Sequence, residues 1–196
     1  AINEVDDVPP VITSADTATT IDENSGAGQV VYTATVEGSD PAITFSLSSD
    51  SDTALTIDSA TGAVSLTTDP DFEAQNQYSF AVIATDTAGN ESAPQAVTLS
   101  INNLDEVAPI ITSGDTATAI NENSGAGQVI YTATADDSLD ISAGVTFSLT
   151  GDSDPALSID SSTGEVTLSA DADADYETQS VYSFTVVASD GVNEAV

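Results

Sequence analysis

The chain has 196 residues, of which 33 are acidic and none is Lys, Arg, His or Cys, for a formal net charge of −33. Such a polyanion repels nucleic acid and anionic membrane surfaces, so neither is expected as a partner. It also lacks the side chains for a His-based triad, a thiol nucleophile, a Schiff base or a cationic phosphate clamp, and is not expected to be an enzyme.

The length suits one large domain or two of ordinary size. Acidic, aromatic-poor chains are often disordered, but here the 40% apolar residues fall in alternating runs. No disulfide can form, no apolar run approaches the ~20 residues of a membrane span, and no signal-peptide pattern is present. The opening AINEVDD starts in mid-pattern, as expected of a segment of something longer.

Residues 1–7 read as the end of a preceding repeat with its linker. From Val8 the chain runs VPPVITSADTATTIDENSGAGQVVYTAT, with Val30, Tyr32 and Ala34 alternating with polar neighbours. Ile43, Phe45 and Leu47 alternate next, then Tyr78, Phe80, Val82 and Ala84, then Val97, Leu99 and Ile101. A period of two indicates strands with one buried face, and no window supports a helix. The turn-forming stretches ENSGAG, SATG and TAGN separate the runs. Asp58 and its later counterpart Asp160 are read as turn formers.

From Val107 the pattern starts again. VAPIITSGDTATAINENSGAGQVIYTAT repeats the first stretch, placing Ile120 on Ile21, 99 residues later. FSLTGDSDPALSIDSSTGEVTLS repeats FSLSSDSDTALTIDSATGAVSLT at an offset of 102, so the second copy carries three extra residues around SLDISAG. Two tandem repeats follow, 8–106 and 107–196, with the junction near Asn102–Pro109. About seven short strands per hundred residues predicts an all-β chain of two Greek-key β-sandwiches. The second is expected to lack most of its last strand, because the chain stops at Val196 where the first copy continues with TLSINNLDE, leaving an edge open to pairing.

Three acidic motifs recur. Glu23 in DEN returns as Glu122 in NEN, and Asp71-Phe72-Glu73 returns as Asp175-Tyr176-Glu177. The junction NNLDEVAP has its counterpart in NEVDDVPP at the front, and Asp136, Asp137 and Asp190 follow it. In this order, twice over, the motifs resemble those of cadherin repeats, in the divergent form of tandem arrays in large bacterial (RTX-type) surface adhesins. The I-D-x-x-T-G turns match as well.

The resemblance implies that these motifs gather at the domain junction and hold Ca²⁺. The main ligands would be Glu23, Asp71 and Glu73 from the first repeat, Asn103, Asp105 and Glu106 from the linker, and Asp136, Asp137 and Asp190 from the second. A weaker front site would use Asp6, Asp7 and Asp86, with Glu37 the nearest match to the missing D-x-D. Glu122, Asp175 and Glu177 would form a partly filled far site. Departures from the family pattern are Asn103 for Asp, Val107 for Asn and Ala135 for the first Asp of D-x-D.

Calcium suits a set of hard oxygen ligands, and carboxylates crowded without cations need a metal to neutralise them. Zinc and copper are not expected without His or Cys. The expected role is a calcium-rigidified extender of a secreted adhesin on a bacterial surface, with neighbouring repeats as its partners. The alternatives are a calcium-dependent module binding polysaccharide or sister repeats in cell–cell adhesion, and glycoside hydrolysis by paired carboxylates. The first lacks exposed aromatic platforms and the second lacks any sign of a cleft.

Overall fold

The computed structural model of the chain describes residues 6–37, 42–141, 143–169 and 173–196. Part of the opening segment, most of VEGSD and the start of DADAD lie outside the described residues. The chain divides into two compact units, Ala1–Leu104 and Asp105–Val196.

Among its described residues the first unit carries nine strands: β1 (Val11–Ile12), β2 (Ile21–Asp22), β3 (Val30–Thr33), β4 (Val36–Glu37), β5 (Thr44–Leu47), β6 (Leu55–Ile57), β7 (Ala63–Leu66), β8 (Gln77–Thr85) and β9 (Gln95–Asn102). They form one sheet ordered β2-β9-β8-β5, a second ordered β3-β7-β6, and the pair β1-β4. The long strands β8 and β9 pair antiparallel from Gln77↔Ser100 to Val82↔Gln95, whereas β2 pairs with β9 in parallel. Tyr78, Phe80, Val82, Ala84, Val97, Leu99 and Ile101 of the first sheet share one core with Val31, Tyr32, Leu55, Val64 and Leu66 of the second. Each large side chain buried in this way stabilises by about 1.5–3 kcal/mol. Tyr32 meets Phe80 edge-on across the sandwich, with centroids 5.6 Å apart.

The alternation read from the sequence holds along β8 and β9 but slips in β3. Val30, expected inside, is 59% exposed, and Val31 takes its place in the core. The pairing of β3 with β7 shifts register between Val30 and Tyr32, and a bulge of this kind turns every residue on one side of it to the other face. The second repeat copies the device: Val129 is exposed and Ile130 buried.

The I-D-x-x-T-G turns are built as read. Asp58 Oδ1 accepts the amides of Ala60 and Thr61, and the Gly62 amide closes onto the Asp58 carbonyl at 2.9 Å. Asp160 repeats this with Ser162 and Thr163. The Ser162 hydroxyl and these two amides hold the Asp160 carboxyl down at about 2. The closing glycine is needed for two reasons. Gly164 has φ +70°, and a Cβ there would lie 2.4 Å from the Ala133 carbonyl oxygen.

The second unit carries β10 (Ile110–Ile111), β11 (Val129–Thr132), β12 (Ala135–Asp136), β13 (Thr146–Leu149), β14 (Leu157–Ile159), β15 (Glu165–Leu168), β16 (Val186–Ser189) and β17 (Glu194–Ala195). Its sheets are ordered β11-β15-β14 and β13-β16-β17, with the pair β10-β12, and its core centres on Phe147, Leu157, Val166, Leu168, Val186 and Ala188. β17 pairs with β16 only at Ala188↔Ala195 and Ser189↔Glu194. The residues matching the first half of β8 therefore have less cover: Tyr182 and Phe184 are half-buried where Tyr78 and Phe80 are buried. Tyr176, by contrast, is 68% exposed.

Candidate metal centre

The stretch IDENSGAG leaves β2 through a turn in which Asn24 takes the left-handed conformation, φ 55°. Asn tolerates this region better than most residues. The Asn24 amide then bonds to the Pro70 carbonyl at 2.9 Å, and the Gly26 amide bonds to Asp69 Oδ1 at 2.7 Å. These contacts hold the turn against the loop that precedes β8.

Glu23 is thereby placed deep in the unit, 1% exposed. Its Oε2 accepts the Phe72 amide at 2.8 Å and its Oε1 the Leu104 amide at 2.7 Å. One carboxylate thus ties the turn to the loop before β8 and to the segment leaving β9. Asp71 caps its own turn by accepting the Ala74 amide. Ligand oxygens of Glu23, Asp71 and Glu73 lie within 4.8 Å of one another.

The second unit repeats the turn, with Asn123 at φ 54° and its amide on the Ala174 carbonyl. Oxygens of Glu122, Asp175 and Glu177 again lie within 4.8 Å of one another. Here all three are exposed, and the Tyr176 amide reaches Glu122 at a longer 3.4 Å. Among the described residues of this unit no counterpart of the Leu104 amide holds Glu122.

A different acidic group gathers at the other end of the chain's second unit. Asp190 is 7% exposed, and its Oδ1 accepts the amides of Val192 and Asn193 at 2.7 and 2.6 Å. The Asn193 backbone bond leads the contacts that keep the Asp190 carboxyl below the usual range, against the opposing effect of burial. Its Oδ2 is sealed from solvent with no hydrogen-bond partner, as is Oδ2 of Asp137. Asn193 Nδ2 reaches both the carbonyl oxygen and Oδ1 of Asp105, each at 3.2 Å. Burial, followed by the charges of Asp190, Asp137 and Asp140, pushes the Asp105 carboxyl up. Asp140 Oδ2 accepts the Glu106 amide at 3.0 Å.

Asn193 thus ties Asp105 to the turn that carries Asp190, and Asp140, which was not read as a site residue, holds the amide next to Asp105. Asp136 stands apart: it is exposed, and its Oδ1 accepts the Ser138 amide. Of the linker residues, Asn103 is half-buried in the first unit, and Glu106 is exposed and joins the group through its amide.

In the first unit the matching carboxylate, Asp86, is satisfied on both oxygens. Oδ1 accepts the amides of Ala88 and Asn90, and Oδ2 accepts Asn90 Nδ2 at 2.8 Å. Burial acts to raise its pKa, but the bonds from Asn90, Ala88 and Gly89 outweigh this and hold it low. Asn90 Nδ2 also reaches the Asp6 carbonyl at 3.1 Å, and Asp6 Oδ1 accepts the Val8 amide. Asp7 is exposed, as is Glu37 at the end of β4. In both units an asparagine binds the carbonyl of the first linker aspartate. Asn90 and Asn193 were not read as site residues. Their signal was present: each follows Asp86 or Asp190 within four positions, and each precedes a glutamate.

The cadherin-domain pattern matches residues 17–102 and 116–195. The chain belongs to the cadherin family. Among curated proteins it is similar to protocadherin Fat 4 of Mus musculus, 27% identical over 195 residues, which is 97% of this chain and 4% of that protein. Protocadherin Fat 1 of Homo sapiens is 29% identical over 198 residues, with the same coverage. The chain thus spans about 4% of the length of the curated relatives it matches. Among solved structures, mouse cadherin-23 EC22–24 superposes with a TM-score of 0.70 at 23% identity, covering 95% of this chain and 62% of that one. Human protocadherin-24 EC1–2 also gives 0.70, at 20% identity, covering 92% and 86%. These likenesses show the fold. The relatives named are animal protocadherins, not bacterial adhesins.

Cadherin domains are calcium-binding adhesion modules that work outside the cell, not enzymes. The residues present suit that ion. Every candidate ligand is an oxygen, which a hard cation of six to eight ligands requires. Among the described residues two buried carboxylate oxygens have no donor, and the chain offers no cationic side chain to supply one. An unpaired buried charge of this kind is costly until something neutralises it.

Proposed function

We propose that the chain is a calcium-rigidified extender segment of a secreted bacterial adhesin, holding a binding domain away from the cell surface. The observation that carries this reading is the pair of buried carboxylate oxygens without donors on Asp137 and Asp190, beside Asp105, in a chain without cations. In this reading Glu23, Asp71 and Glu73 of the first cadherin domain act with Asn103, Asp105 and Glu106 of the linker. Asp137 and Asp190 of the second domain complete the set, and Asp136 would be an outlying member. A bound Ca²⁺ supplies positive charge and many-fold oxygen coordination.

What the chain's own residues do is hold the linker in register. Glu23 fixes the Leu104 amide, and Asn193 fixes Asp105. Asp6, Asp7 and Asp86 would make a weaker front site, because Asp86 already has hydrogen bonds on both of its oxygens. Glu122, Asp175 and Glu177, all exposed, would make the weakest. Ions that bind only the ordered linker stabilise it by RT ln(1 + [Ca]/Kd), about 2.7 kcal/mol at a hundredfold excess over Kd. Placement on a bacterium rests on the divergent motifs, with Val107 and Ala135 at ligand positions of the family pattern.

Small-angle X-ray scattering of the chain in millimolar calcium and in excess chelator tests the reading. One narrow, calcium-dependent distance distribution that broadens in chelator supports an extender, and superimposable profiles reject it. Calcium-dependent self-association on ultracentrifugation, or a glycan-array signal, would favour the adhesive-module alternative.

A further inference from the structure

We propose that the turn after the buried aspartate decides which repeat offers that aspartate to calcium: Asn90 blocks an oxygen of Asp86, whereas Asn193, on a shorter turn, leaves the matching oxygen of Asp190 open. The inference rests on the calcium reading above and deepens it by naming the residue that discriminates between two sites.

The two aspartates are closely matched. Each directly follows a core strand, β8 or β16, and each is 7% exposed. Each Oδ1 accepts two amides of its own turn, one of them from the asparagine. The asparagine carbonyl accepts the aspartate's amide in return, at 3.1 Å in the first unit and 3.3 Å in the second. The length differs: Asn90 stands four positions after Asp86, and Asn193 three after Asp190.

The asparagine side chains then part ways. Both Nδ2 groups reach the carbonyl of a linker aspartate, Asp6 or Asp105. Asn90 Nδ2 also donates to Asp86 Oδ2 at 2.8 Å, whereas Asn193 Nδ2 donates to Asp105 Oδ1 at 3.2 Å. Among the described residues Asp190 Oδ2 is therefore left without a donor. An amide donor and a cation compete for the same carboxylate lone pairs, so an ion at Asp86 must first displace Asn90. Since burial is equal, the partner and not the depth sets the two aspartates apart.

Calorimetric titration with calcium, together with melting in calcium and in chelator, tests this on the whole 196-residue chain. We expect Asn90→Ala to tighten the front site by about tenfold, the equivalent of one hydrogen bond to a charged group. Asn193→Ala should instead weaken binding, because Asp105 loses its brace. The gain should vanish in the double variant Asp86→Asn/Asn90→Ala. In Asn90→Ala the melting temperature should fall in chelator, and its rise on adding calcium should exceed that of wild type. A second variant exchanges Thr87–Asn90 for the Gly-Val-Asn of the other repeat, keeping the asparagine while shortening the turn. It should tighten the front site likewise. Weaker binding in both asparagine variants would make them linker braces alone, overturning the inference while the calcium reading stands. Unchanged binding in Asn90→Ala or in the exchanged turn also overturns it, as does a gain that survives Asp86→Asn. A wild type that binds no calcium removes both readings together.

Discussion

At the scale of single residues, glycines in two kinds of turn, Gly164 of I-D-x-x-T-G and Gly125 of ENSGAG, separate conformational strain from steric conflict. Gly164 combines a left-handed backbone with a Cβ position 2.4 Å from a carbonyl oxygen, whereas Gly125, at φ +87°, has nothing within 4 Å. Gly164→Ala should therefore cost about 2–4 kcal/mol, strain plus overpacking, and Gly125→Ala about 1–2 kcal/mol from strain alone. Denaturant midpoints of the two variants give the comparison, and equal losses would mean that the Ala133 carbonyl yields easily. Asp160 makes a separate prediction. Its carboxyl is depressed to about 2 in the folded chain, so its contribution is present above the ordinary carboxylate range and is lost as pH falls through about 2. Asp160→Ala should be less stable than wild type at pH 5 to 7, with the gap closing towards pH 2. A gap that persists at pH 2 would show that the ionised form is not what the turn uses.

At the scale of elements, Glu23 acts as a buried clasp among three segments. Glu23→Ala leaves the Phe72 and Leu104 amides without their acceptor, which should cost about 2–4 kcal/mol even in chelator. Glu122→Ala, in the exposed copy, should cost far less in thermal melting. The core strands give the same kind of contrast. Phe80→Ala should cost about 3–5 kcal/mol and the half-buried Phe184→Ala clearly less.

Much of this was legible in the sequence. The inward set of β8 and β9 follows from side chains alternating along one strand, and Glu23 could be placed because its motif occurs twice. What escaped depends on contacts between distant segments. The bulge at Val30 is set by pairing with β7, and no periodicity within β3 reveals it. Asn90 and Asn193 act by reaching linker carbonyls, a role that residue type alone does not announce. Asp140 lies where the two copies stop aligning, so comparing the repeats could not find it.

For the whole molecule, 33 negative charges without one positive partner make stability a question of ions. Screening shortens from about 10 Å at 0.1 M salt to about 3 Å at 1 M. In chelator, the melting temperature should therefore rise by several degrees across that range as self-repulsion fades. In saturating calcium the same salt series should move it much less, because the closest charges are already neutralised. Parallel salt responses in the two conditions would show that calcium does not reach the crowded carboxylates.

The parallel pairing in the first unit bears on what happens under tension. The segment Asp16–Asp22 runs beside Thr98–Asn102, joined by the Thr17↔Thr98 bridge, the Ala18 amide on the Thr98 carbonyl, the Thr98 amide on the Asp16 carbonyl and the Ile21↔Ile101 pair. One segment lies near the start of the unit and the other near its end. A pull on the two ends loads these bonds in shear, so they must give way together and not peel apart singly. In single-molecule stretching the first unit should therefore resist to a high peak force and then rupture abruptly, whereas a low, gradual force rise would show that these bonds peel one at a time.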